Sequence, residues 1–461
     1  MANVKVKNWF GDIETHPKVV VQAESVNELV DILKDPETYP SPVRAIGSNH
    51  STARCGVADE GTVIKMKMNR VLSISEDTVT AEAGALYIDV AEELKKHGLQ
   101  FFVNTEIGNL SIGSAACAGT KNASMPDEKG SYEWGQVGSY VTSVKMVVPP
   151  GKVLPPVDEN QADLLECIRS SYGTLGIIYE ATLRVRPIQP MAVRYQTFTL
   201  EEFKEKFQDL KNGHESMMLF IFPFDKRITI EFRRYNPGAR GRPNRRVWWL
   251  RNLLWKTVGP LLCHEIAKRA PLAIRYRLID RFNFALRFAL VYFLRSDNTV
   301  APDQIIRYPE VSNASRYTFS FCAFPEDNFP GVLEEYFQFC KDYYKRCGYR
   351  PNLPDVSYRI AEDKKSLLSY SFEGPVMTID PVSTGNPGWD KFLEAYNKFC
   401  FEHGGVPMLN QTPGVTRPQA EKAFKDRFTK FAETRRKYDP NNRLLNRYFQ
   451  DLLMPGTNTN S

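Results

Sequence analysis

The chain has 461 residues, 42% of them hydrophobic and 25% charged, with a formal net charge of +6. Those proportions belong to an ordinary globular protein with room for two or three domains and full cores. Eight cysteines stand singly, at 55, 117, 167, 263, 322, 340, 347 and 400, with no CxxC pair. The spacing argues against a zinc site or a disulfide framework, so no metal is expected and a reducing, intracellular compartment fits best. The start, "MANVKVKNWFGD", has no apolar run long enough for a secretion signal.

Residues 18–187 alternate short apolar runs with helix-like segments. "KVVVQA" is followed by "SVNELVDILKD", then by "VRAIGSNHS", "GTVIKMK", "VLSISEDTVTAEAGA" and "LYIDVAEELKKHG". Strands alternating with helices predict an α+β or α/β domain. Within it, the strand "VRAI" runs into a small polar turn with His50 at its tip. A second loop, "NTEIGNLSIGSAACAGTKNAS" (104–124), is dense in Gly, Ala, Ser, Thr and Asn. Such a run lets backbone approach a ligand and offers N–H groups to a pyrophosphate. It matches neither the Rossmann fingerprint nor the P-loop.

Residues 190–330 open on strand, helix and strand, then become strongly basic. Between 226 and 295 there are 17 Lys+Arg against 3 Asp+Glu. Arginines alternate there with aromatic and aliphatic residues at helical spacing, and no stretch is long enough to span a bilayer. Two readings stand: a basic amphipathic surface that lies peripherally on a membrane (240–295), or helices that bury their apolar faces inside the protein and let their arginines snorkel. No nucleic-acid-binding module is present. The remainder predicts helices over "GVLEEYFQFCKDYYKRCG" and "GWDKFLEAYNKFCFEHGG", the latter stopped by Gly404-Gly405. A single last helix is predicted over "RPQAEKAFKDRFTKFAETRRKYDP", and a disordered tail at "MPGTNTNS".

Taken in order, these pieces resemble the vanillyl-alcohol oxidase flavoprotein family, with its PCMH-type FAD-binding domain. They are the G-x-x-H-S turn, "VTAEAG" leading to "LYIDVAEEL", the glycine-rich loop, "SYVTSVKMVVPPGKVL" and "LLECIRSSYGTLGIIYEATLRVRP". The rest, including "YRIAEDKKSLLS", "HGGVP" and "KYDPNNRLLNRYF", resembles the aldonolactone oxidase branch. The resemblance implies an α+β, two-domain architecture. Residues 1–187 would bind FAD, 188–440 would form an α+β cap over its reactive face, and the tail 441–461 would return to the FAD domain. It implies covalent FAD through His50, with Gly47, Ser48, Asn49 and Ser51 around it. Ile107, Gly108, Asn109, Ser111, Gly113, Thr120, Ile177 and Asn446 are the further cofactor-binding candidates. Cys117 falls too late in its loop for a second covalent link and reads as a packing residue.

Against that branch the chain departs at the substrate site. Aligning its Glu-x-Arg pair puts Ser357 on the glutamate and Arg359 on the arginine. Aligning the segment after Gly-Gly-x-Pro puts Met408 on a histidine and Gln411 on a lysine. Arg359 would stabilise negative charge on the reduced flavin, or else form a structural salt bridge. Tyr358, Tyr370, Ser357 and Gln411 are the other catalytic candidates. A site made neutral in this way suits a substrate less polar than a sugar lactone, since buried hydroxyls need partners. The expectation is therefore an oxidase acting on a CH–OH or CH–NH carbon of a small molecule, with O2 as acceptor and poor turnover of L-gulono- and L-galactono-lactone. A genuine aldonolactone oxidase or dehydrogenase, and a flavin-binding protein without oxidation chemistry, are the alternatives. The expected location is cytoplasmic or peripheral on a membrane surface, and no nucleic-acid partner is expected.

Overall fold

The computed structural model describes residues 4–236, 245–295, 298–300, 305 and 317–454. Of the expected disordered tail, Met454 packs against the first core, while the rest, from 455 on, and residues 240–244 of the basic block lie outside these.

Near the N-terminus, Val19–Ala23, Thr62–Met66 and Val43–Ile46 pair as a parallel sheet with Thr62–Met66 in the middle. Parallel neighbours need a crossover, and the helix Val26–Lys34 supplies one. Ser25 caps it by accepting from Glu28 N–H, and Leu29, Ile32 and Leu33 bury its inner face. Beside it, Val141–Val148, Ile177–Pro187, Thr78–Glu82 and Val71–Ile74 form an antiparallel sheet. Alanines and valines of its buried face (Val79, Ala81, Val144, Ala181) join the largest hydrophobic core.

A second sheet of seven antiparallel strands follows. Its order is Asn298–Val300, Met191–Thr199, Arg227–Tyr235, Ser216–Phe222, Asp355–Ile360, Val376–Ile379 and Cys322–Pro325. Strand alternation divides its residues between two layers. Met217, Leu219 and Ile221 meet the helices Leu200–Asn212, Phe329–Cys347 and Trp389–Glu402. Met218, Phe220 and Phe222 meet Trp248, Leu286, Leu290 and Leu294 of the basic block. That block is helical, over Arg245–Leu253, Gly259–Arg269 and Leu272–Leu294. Its inner side is packed as the buried reading requires.

The chain returns to the first core earlier than the expected boundary at 441. Leu409, Val415, Phe424, Phe428 and Phe431 already belong to that core, together with Leu445 and Phe449. The predicted helix over 417–440 is two, Arg417–Phe424 and Asp426–Tyr438. Lys425, at φ 52°, breaks it, and Phe424 and Phe428 on either side of the break both pack into the core.

Asp355 begins the fifth strand of the cap sheet. The Tyr336 hydroxyl donates to its Oδ2 at 2.9 Å and Val382 N–H to its Oδ1 at 3.3 Å. Burial nevertheless lifts this carboxyl from 3.8 to about 8. The folded protein therefore holds a proton that the unfolded chain releases above about pH 4. Stability should fall as pH rises from there to about 8, then level off. Asp355→Asn cannot ionise, so thermal melts across this range should lose that slope. An equal slope in the variant would assign it to other groups.

Candidate active site

One large cavity, about 290 Å³, lies between the first core and the cap sheet. Its first wall is the turn after Val43–Ile46. Gly47 sits so close to the neighbouring loop that a Cβ there would overlap Ser111 Oγ. Asn49 takes the left-handed conformation at φ 56°, which Asn tolerates better than most residues. Ser48 Oγ donates to the Asn109 carbonyl, tying the turn to the glycine-rich loop.

His50 is half-buried between Asn109 and Trp9, whose ring centroid is 5.0 Å away. Burial pulls its pKa down to about 4, against the opposing pull of Asn109, so the ring is neutral at physiological pH. Its Nε2 lies 2.6 Å from Asn109 Oδ1, which can only accept. The proton is thus on Nε2, and the lone pair is on Nδ1. That nitrogen is buried without a partner.

Beneath the turn, Arg44 is fully buried and lines the cavity. It donates to four carbonyl oxygens, of Cys55, Gly173, Tyr172 and Leu444. Asn446 donates to the carbonyls of Arg54, Cys55 and Val57. These bonds fasten the tail under the histidine turn. Cys117 lines the same cavity, and burial pushes its thiol up to about 11, which keeps it protonated.

The far wall carries a buried ion pair. Lys121 Nζ stands 3.1 Å from Asp380 Oδ2, with the two side chains 8% and 5% exposed. The Lys121 ammonium also lies over the rings of Phe321 and Tyr358, at 4.5 and 4.8 Å. Asp380 Oδ1 is buried with no partner, as are Asn410 Oδ1 and Gln411 Oε1. Burial raises the Asp380 carboxyl, and Lys121 opposes that rise. Arg251, another cavity residue, is held by Glu231 at 2.9 Å and Glu106 at 3.3 Å. Burial alone would raise Glu231, but Arg233 and Arg251 overcome it and hold the carboxyl near 2.

Of the residues singled out from sequence, Gly47, Ser48, Asn49, His50, Ser51, Ile107, Ser111, Gly113, Thr120, Ile177, Tyr358 and Gln411 line this cavity. Asn109 touches it through His50, and Asn446 supports it from below. Gly108 is outside the lining and accepts from Ile88 N–H instead. Tyr370 is one layer back, its hydroxyl 3.4 Å from the Gly119 carbonyl and its ring on Phe321. Met408 is fully buried in the same small cluster.

Two assignments need correction. Ser357 pairs with Leu219 across the strands, on the helix-covered face. Arg359 lies on that face too. It pairs with Glu326, donates to the Lys211 carbonyl at 2.9 Å and covers the Tyr132 ring. The alternation of the strand presents Val356 and Tyr358 to the cavity instead. Removing Arg359 strands a buried carboxylate, which typically costs about 3–5 kcal/mol. Arg359→Met should therefore lower the melting temperature, yet leave turnover per bound flavin near wild type. A large loss of turnover in correctly loaded protein would return Arg359 to the reaction. The site residues missed from sequence are Lys121, Asp380, Asn410 and Arg44. Lys121 directly follows Thr120 in the glycine-rich loop, whereas Asp380 carries no local signal.

A ligand groove along the histidine turn and the glycine-rich loop, closed by an antiparallel cap, is the architecture of a two-domain FAD-dependent oxidoreductase. Residues 17–155 match the FAD binding domain and residues 181–452 match D-arabinono-1,4-lactone oxidase. The chain belongs to the D-arabinono-1,4-lactone oxidase family. It is 24% identical to L-gulonolactone oxidase of Mus musculus, over 98% of each chain. It is 23% identical to L-gulono-1,4-lactone dehydrogenase of Mycobacterium tuberculosis (strain ATCC 25618 / H37Rv), over 97% of this chain and 99% of the relative. The fold is similar to that of cholesterol oxidase from B. sterolicum, with a TM-score of 0.75 at 16% identity, covering 97% of this chain and 96% of the other.

Proposed function

We propose that this protein oxidises a ring hydroxyl of a lactone-like, polyhydroxylated small molecule, using FAD attached covalently through His50. The observation that carries the substrate reading is the Lys121–Asp380 pair in the cavity wall. Sequence reasoning expected a neutral site because Ser357, Met408 and Gln411 stood for the polar groups. Of these only Gln411 lines the cavity, and five charged residues (Arg44, Glu106, Lys121, Arg251 and Asp380) line it besides. Three buried acceptor oxygens (on Asp380, Asn410 and Gln411) have no donor, and a substrate rich in hydroxyls supplies donors. The names of the relatives support the same reading.

The residues present fit FAD. Gly47–Ser51, Ser111 and Gly113 give a close backbone wall, Arg44 brings a positive charge held by carbonyls and the Phe449 ring, and His50 Nδ1 is the nucleophilic atom for the link. When bound, FAD accepts a hydride and passes two electrons on. The rest of the reaction belongs to this chain's side chains. Lys121 holds Asp380 in place and steadies its charge. Asp380 Oδ1 takes the hydroxyl proton as the carbonyl forms, a task suited to a carboxylate whose pKa burial has raised. Gln411 and Asn410 orient neighbouring hydroxyls, while Met218, Phe220 and Phe319 keep water out.

The reading includes O2 as the electron acceptor. Peroxide release from a panel of aldonolactones and apolar alcohols tests it. Lactones should lead the panel, and preference for the apolar alcohols would reverse the substrate reading. The proposed location is intracellular and peripheral on a membrane. Among the described residues no helix is long and apolar enough to cross one.

A further inference from the structure

The helix Leu272–Leu294 is apolar on two opposite sides. Tyr276, Ile279, Leu286, Leu290 and Leu294 are buried. Ile274, Leu278, Phe284, Phe288 and Tyr292 are exposed, by 37% to 65%. At 3.6 residues per turn the two sets centre on opposite faces, with exposed Arg277 and Arg281 among the second set. A helix apolar all round normally has both sides covered. Ten of the fourteen exposed large hydrophobic residues in the described chain fall between Trp249 and Phe293. That concentration marks an interaction surface, since scattered exposure would need no explanation.

We propose that this outer face docks on a lipid bilayer with an anionic surface. The inference deepens the peripheral location proposed above and rests on it. Charge decides the occupant. Within 245–295 the exposed basic residues are Arg246, Lys268, Arg269, Arg277, Arg281 and Arg295, and these complement anionic headgroups. A second copy of the chain would instead set Arg277 and Arg281 against their own equivalents. Exposed Phe and Tyr rings between arginines are the composition of a helix lying at a membrane interface. The same helix also turns Asn283 and Leu286 toward the cavity. The docking surface and the cavity wall are thus two sides of one element.

The test is co-sedimentation of the holoenzyme with phosphatidylcholine vesicles, with and without phosphatidylglycerol, at low and high salt. The protein should pellet with the anionic vesicles at low salt and be released by high salt. Two variants, Phe284→Asp/Phe288→Asp and Arg277→Glu/Arg281→Glu, should each bind at least roughly tenfold more weakly. Both should keep their FAD content and their turnover in solution, which shows that they fold. Wild-type protein left in the supernatant overturns the location and the face together. Wild-type binding matched by both variants overturns the face alone. Equal binding to neutral vesicles overturns the anionic preference. A dimer in light scattering that Phe288→Asp dissolves assigns the face to a second copy and overturns the proposal.

Discussion

His50→Ala is expected to convert a bound flavin that survives acid precipitation into one that is released to the supernatant. Burial keeps His50 neutral, with its pKa near 4. Asn109 Oδ1 fixes the proton on Nε2 and leaves the lone pair on Nδ1, which has no protein partner. A protonated imidazole or the opposite tautomer would have no lone pair there. Asn109→Leu should accordingly slow covalent loading without abolishing it, because the tautomer would no longer be fixed. The wild-type pellet should stay yellow, and the His50→Ala pellet should be colourless over a yellow supernatant. A colourless wild-type pellet would remove the covalent link while leaving the FAD-binding fold in place.

The second large effect is expected at the cavity's ion pair. Lys121→Met leaves Asp380 charged or protonated in a buried wall, and breaking such a pair typically costs about 3–5 kcal/mol. In the reaction, an Asp380 carboxylate no longer held in place loses its part as proton acceptor, a contribution of roughly a hundredfold or more in kcat/KM on a lactone. Asp380→Asn should fall as far, since it also removes the proton acceptor. The double variant Lys121→Met/Asp380→Leu separates stability from chemistry. Replacing both partners by apolar groups restores much of the stability, and turnover should stay low. Recovery of turnover in the double variant would make the pair structural.

How much of this was legible in the sequence depends on how local each signal is. His50 and its turn stand within one strand-to-loop segment, and the glycine-rich loop is a single run, so both were readable. Arg359 and Ser357 were misplaced by one position on a strand. A shift of one residue exchanges the two faces of a sheet, and here it exchanged a helix-packed face for the cavity. The Lys121–Asp380 pair joins a loop of the first domain to a strand end of the cap, and no short window of sequence contains both. The outer face of Leu272–Leu294 was half legible. Its charge excess was evident, but only the fold shows that its inner side is packed while its aromatic outer side remains uncovered.

The central claim is that a flavin beside Lys121 and Asp380 oxidises a hydroxyl-rich lactone. Anaerobic addition of L-gulono-1,4-lactone to the holoenzyme tests it most directly, with the visible flavin absorbance followed through addition and then admission of air. The account predicts that the colour bleaches in wild-type protein, returns with O2, and bleaches far more slowly in Asp380→Asn. A flavin that keeps its colour with this and related lactones, yet bleaches with an apolar alcohol, would contradict it.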